Sequence, residues 1–122
     1  MDRSLVRWPE PQLLLSADDS GGPVLVRITY TIAADKEQRF LQAMARLRLS
    51  RLRTGATDWA LYRDGENPRL FVELFAVPSW DEHLRQHRER QTGTDLEYRD
   101  DAAALSDPPP QTEHYLAAAV PE

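Results

Sequence analysis

PVLVRITYTI, residues 23–32, decides the fold. Val24, Val26, Ile28, Tyr30 and Ile32 alternate with Leu25, Arg27, Thr29 and Thr31, the period of two expected of a strand with one well-buried face. Downstream, residues 35–53 change to helical spacing: Phe40, Met44, Leu47 and Arg51 share a stripe, Asp35 with Gln38 resembles a capping box, and Gly55 supplies the stop. Arg46, Arg48, Arg51 and Arg53 crowd the last turns. Their simplest reading is a solvated outer face that complements the helix C-terminal dipole, ahead of an anion site. Upstream, residues 1–22 lack periodicity, with WPEPQ disfavouring helix and SADDSGG carrying loop chemistry. They read as an extended N-terminal arm with Trp8 and Leu13 to Leu15 free to dock, which leaves the folded domain to residues 23–120.

Two further strands follow. TDWALYRD and RLFVELFAV flank GENP, whose Gly65, Asn67 and Pro68 favour a turn, so the two should pair as a hairpin. The second is almost continuously apolar and so belongs at a central position covered on both faces. Glu73 interrupts it. A carboxylate there needs a partner such as Arg27 or Arg63, and reads as a structural ion pair before a catalytic acid. Ser79 with Glu82 makes another capping box and starts a helix at Trp80; Gly93 ends or bends it, and Thr94 with Glu97 caps a second piece to about Leu105. SDPPPQ breaks the chain before the last strand, TEHYLAAAV.

The resulting order, β-α-β-β-α-β with the second helix interrupted, is the ferredoxin-like α+β arrangement: a four-stranded antiparallel sheet with both helices on one face. The uncovered face then predicts a homodimer, because Leu25, Phe71, Phe75 and Val77 would otherwise expose a large apolar patch.

Bulk properties narrow the function. A chain of 122 residues holds one modest core. No cysteine is present, which excludes disulfides and thiolate metal sites. No apolar run is long enough to cross a bilayer and no signal peptide opens the chain, so a cytoplasmic location is expected. A formal net charge of -5 argues against nucleic acid as the main partner.

SWDEHLRQHRER, residues 79–90, carries the candidate chemistry. Trp80, His83, Leu84 and His87 fall on one helical stripe, so both histidines should look toward the sheet. Three readings compete. Histidines four apart can chelate a metal, but a third ligand is normally needed and H-E-x-x-H is absent, so no metal and no cofactor is expected. In a cleft, His83 or His87 could hydrogen-bond or move a proton, with Tyr62 among the aromatic walls. Trp80, Trp59 and Tyr30, with Leu84, would there bind a small hydrophobic or aromatic ligand. Thirdly, the rings simply fill space between helix and sheet.

GPVLVRITYTI, FLQAMARLRLSRLRTGATDWALYRD, RLFVELFAVPSWDEHLRQHRERQT and HYLAA together resemble the soluble C-terminal domain of certain major facilitator superfamily exporters, the transmembrane secretion effector or enterobactin-exporter-like transporters. SWDEHLRQH is the most specific piece, and the likeness runs from about Trp8 to Ala119. That domain is similar to the antibiotic biosynthesis monooxygenase-like domains of the dimeric α+β barrel superfamily. The resemblance implies a homodimeric accessory domain on the cytosolic face of a membrane transporter, serving dimerisation or small-molecule sensing. Its alternative implication is a cofactor-independent monooxygenase acting with O2 on an aromatic or polyketide-like substrate, with His83, His87 or Tyr62 as the candidates for removing a proton. Haem degradation fits less well, because VLVRITYTI lacks the asparagine that those enzymes place on the first strand.

Overall fold

The alternation in residues 23–32 becomes β1, Val24–Thr31, in a computed structural model that describes residues 22–85 and 92–121. A short 3-10 turn, Ala34–Lys36, leads into helix α1, Glu37–Arg53. The hairpin strands are β2, Thr57–Arg63, and β3, Leu70–Val77. The interrupted helix is α2, Trp80–Arg85, and α3, Gly93–Ala104, and the last strand is β4, Gln111–Leu116. The sheet is antiparallel in the order β2-β3-β1-β4, so β1 and β3 hold the centre.

Alternation sorts the side chains onto two faces. Val24, Val26, Ile28 and Tyr30 of β1 and Phe71, Phe75 and Val77 of β3 are buried, joined in one core with Phe40, Ala43, Met44 and Leu47 of α1. Phe40 is fully buried between Tyr30 and Phe71, its ring centroid 5.1 Å from each. Each such side chain contributes about 1.5–3 kcal/mol through removal from water.

The expected patch of Leu25, Phe71, Phe75 and Val77 is therefore corrected. Only Leu25 lies on the open face, where it pairs with Ala76 beside Arg27 opposite Leu74 and Thr29 opposite Val72. The three β3 residues have the opposite parity and belong to the core; Leu70, Val72, Leu74 and Ala76 take the open face, half-buried.

Two caps also differ from expectation. α1 has no side-chain cap, because the 3-10 turn places Lys36 rather than Asp35 at its N-cap. α3 is capped by Thr92 with Asp95, a reciprocal box two residues earlier than Thr94 with Glu97. The predicted stop of α1 holds: Gly55 has φ 119°, and the amides of Ala56 and Gly55 bond back to the carbonyls of Arg51 and Leu52, the Schellman pattern. At the start of α2, Ser79 Oγ accepts the Glu82 amide at 3.1 Å, as the sequence predicts. Trp8, Leu13 to Leu15 and the rest of the arm lie outside the described residues.

Candidate functional site

Glu73 is completely buried at the centre of β3 and collects three donors. Tyr30 Oη donates to Oε1 at 2.8 Å, Trp59 Nε1 to Oε2 at 2.8 Å, and Arg51 Nε to Oε2 at 3.1 Å. The partner is thus Arg51, and neither Arg27 nor Arg63. Parity puts Arg27 on the open face beside Glu113, and Arg63 reaches Glu37 while its guanidinium lies over Phe71. Arg51 in turn leaves the solvated group to which its neighbours assign it. Its position on the Phe40, Met44, Leu47 stripe points it inward, where it also covers the Phe75 ring at 4.8 Å.

The local fold explains each placement. β2 carries a bulge between Thr57 and Ala60, with Asp58 in the left-handed region at φ 53°. The extra residue re-aims the strand so that Trp59 turns its indole toward Glu73. Burial and then the Glu73 charge push the Tyr30 phenol well above its ordinary value. Tyr30 keeps its proton as a donor and is no base at neutral pH. Burial works against the Arg51 cation, but Glu73 and Tyr30 outweigh it and raise its value. The cluster is a locked donor and acceptor set, with its polar atoms pointed at one another. Beside it, among the described residues, lies a cavity of about 10 Å³ lined by Ile28, Tyr30, Arg51, Arg99, Ala103, Pro110 and Thr112. That is room for about one water.

A second cluster lies toward β4. Trp80 and His83 are buried and Leu84 half-buried, in keeping with the stripe. His114, opposite Val26 on the helix side, brings its ring to 4.9 Å from His83 and 5.6 Å from Trp80, centroid to centroid. Burial lowers the His114 value, so its neutral form is favoured. His87 lies outside the described residues. Among the described residues no group of three His, Asp or Glu is placed to hold a metal.

The predicted site residues therefore separate. Tyr30 and Trp59 join the Glu73 hub; Trp80, His83 and Leu84 join the second cluster. Tyr62 joins neither: it stands opposite Val72 on the open face and is 58% exposed. Residue reading missed Arg51 and His114 as members. The available signal for Arg51 was a charge on an apolar helical stripe, matched by a charge within an apolar strand.

A third polar knot ties the helices together. Asp95 accepts from Ser50 at 2.6 Å and from Thr92, and pairs with Arg53. Burial acts to raise its carboxyl, but the bonds from Arg53, Ser50 and Thr92 prevail and hold it well below the usual carboxylate range.

Solved structures share this architecture. A candidate antibiotic biosynthesis monooxygenase of Bordetella bronchiseptica is 22% identical with a TM-score of 0.67, over 80% of this chain and 99% of that one. A conserved protein of Methanosarcina mazei Go1 is 18% identical with a TM-score of 0.70, over 83% and 98%. A variant of SnoaB, a cofactor-independent oxygenase of Streptomyces nogalater, is 19% identical with a TM-score of 0.66, over 82% and 98%. These likenesses establish the antibiotic biosynthesis monooxygenase-like fold. No curated protein sequence matches the chain. Among the described residues no helix is long and apolar enough to cross a membrane. The family model described as transmembrane secretion effector nevertheless matches residues 1–122, and the chain belongs to that family.

Proposed function

We propose that the domain is a homodimerising accessory module of a transmembrane secretion effector, with the open sheet face as its joint. The observation that carries this reading is a sheet face that no helix covers among the described residues. Leu70, Val72, Leu74 and Ala76 form its centre, with Leu25 and Tyr115 each 41% exposed alongside. Four strands of six to eight residues present on the order of 500 Å² in projection. That approaches the roughly 800 Å² of accessible surface that each partner of a standard dimer buries. Arg27, beside Leu74 on central β1, is neutralised by Glu113 of the edge strand β4 at 3.5 Å, so the face carries a paired charge rather than a free one.

The packed interior supports assembly over catalysis. In a cofactor-independent monooxygenase the protein must enclose an aromatic substrate and remove a proton from it. Here, among the described residues, the hub's polar atoms are engaged with one another, and its tyrosine is held protonated. The monooxygenase reading draws its support from the fold likeness and from the His83 and His114 pair.

Light scattering on the size-fractionated chain tests the joint. A dimer of twice the 14.0 kDa chain mass is expected at micromolar concentration, and Leu74→Arg should halve it. A wild-type monomer overturns the reading. Oxygen uptake with anthrone-type and quinol substrates should stay at the buffer rate; turnover that His83→Ala abolishes would establish the enzyme instead.

A further inference from the structure

α1 has a second amphipathic face, pointing away from the core. Leu41, Ala45, Leu49 and Leu52 are all exposed and follow one another at helical spacing along its outer surface, Leu49 being 64% exposed. Exposed arginines flank them, Arg46 and Arg53 on one side and Arg48 on the other. In a protein of net charge -5 this helix reverses the sign, carrying five arginines against one glutamate. Glu37 is engaged with Arg63 and Arg69, so it does not neutralise the outer row. Asp95 pairs with Arg53, and Asp101 lies across a groove from Arg46, both on the α3 side. Arg48 sits over Trp59 with its guanidinium carbon 5.9 Å from the ring centroid, on the side away from those acids.

We propose that this face of α1 rests on an anionic phospholipid surface, its leucines entering the headgroup boundary and its arginines meeting phosphates. An apolar strip bordered by long cationic side chains is the pattern of an interfacial helix, because the stems lie along the apolar layer while the heads reach the phosphates. Leu49 also borders a groove between α1 and α3 with Arg53, Asp95 and Tyr98, but Leu41, Ala45 and Leu52 do not line it, so the strip as a whole meets a planar fluid surface better than a peptide seated in that groove. A second copy on this face would set arginine against arginine. The inference deepens the accessory-module reading, resting on it for the premise that the domain works beside a bilayer.

The test is flotation of the full chain with phosphatidylcholine vesicles, with and without about a third phosphatidylglycerol, at low and high salt. Binding only to the anionic vesicles, weakened by salt, is expected. Arg46→Gln and Arg48→Gln should each lower partitioning about fivefold, from ~1 kcal/mol per cation. Leu49→Asp with Leu52→Asp should abolish binding, with helical circular dichroism retained because both positions are exposed. Equal binding to both vesicles, binding to neither, or unaffected variants would overturn the proposal. So would a chain that ignores vesicles but binds polyglutamate, which assigns the face to an acidic protein. Light scattering separates the two ideas: a monomer that still floats with vesicles refutes only the sheet joint, whereas a dimer that does not float refutes only the membrane contact. Loss of the dimer in the leucine variant makes this face the joint between copies, and also overturns the proposal.

Discussion

Replacing Glu73 by glutamine probes the packed interior most directly. The side chain is fully buried and Arg51 is 8% exposed, so the substitution strands a cation in the core with an amide facing it. Breaking a buried pair from one side costs about 3–5 kcal/mol, a large part of the roughly 5–15 kcal/mol that holds a domain together. At about 4 °C per kcal/mol for a domain of this size, the melting temperature should fall by roughly 12–20 °C. Arg51→Met should cost a similar amount, because it leaves the carboxylate with only Tyr30 and Trp59 as donors. In the double variant the glutamine oxygen can still accept from Trp59 while its NH2 donates to the Tyr30 hydroxyl, and methionine keeps an apolar stem near Phe75. Its cost should be about 1–3 kcal/mol in all, well below the sum of the singles. Urea unfolding followed by tryptophan fluorescence measures the cycle, and Trp59 reports on the hub itself. Single variants costing under about 1 kcal/mol, or a double variant equal to their sum, would refute the description of Glu73 and Arg51 as a coupled buried pair.

Two predictions concern pH and capping. Asp95 is depressed in the folded state, so its stabilisation is fully present above its unfolded value of about 4 and is lost as pH falls through the folded value. Asp95→Asn should be less stable at pH 7 and show a flatter fall in urea midpoint between about pH 5 and 3; Thr92→Ala should cost about 1 kcal/mol by loss of the cap. An Asn variant with the wild-type pH slope contradicts the assignment. Burial lowers the His114 value below its ordinary level near 6.5, so the unfolded chain takes up the proton first and stability drops as pH falls below that level. His114→Gln should reduce that loss when unfolding is compared at pH 8 and pH 5.5, and an unchanged difference would show that His114 is not the group titrating.

The strands and the core stripe of α1 were legible because burial follows fixed periods. Val24 to Ile32 and Phe40, Met44 and Leu47 needed only spacing to be placed. Parity misled at β3, where a nearly continuous apolar run offers no polar residue to mark the outer face except Glu73, and Glu73 points inward. Arg51 was misread for a related reason. A helix C-terminus welcomes cations on every side, so composition alone does not separate a solvated arginine from one facing a buried acid. Caps shifted by small offsets at α1 and α3 because adjacent threonines and acids, such as Thr92 and Thr94 with Asp95 and Glu97, satisfy the same pattern. The approach of His114 to His83 depends on the crossover to the β4 edge, and no local signal encodes it.

The two proposed contacts constrain each other through the geometry of the fold. The open sheet face and the outer face of α1 lie on opposite sides of the same layer pair, since α1 packs on the face of the sheet that β1 and β3 bury. If two copies join sheet to sheet, their α1 ridges point away from the joint in opposite directions. One flat bilayer can then meet only one ridge of a dimer, and the second ridge adds no avidity. Membrane attachment through this helix must therefore be weak and reversible, resting on three leucines and three arginines rather than on a doubled surface. A lasting position at the membrane would have to come from covalent continuity or association with the membrane-embedded part of an effector. In that arrangement the α1 contact sets the orientation of the domain against the bilayer, while the sheet face stays clear for a second copy.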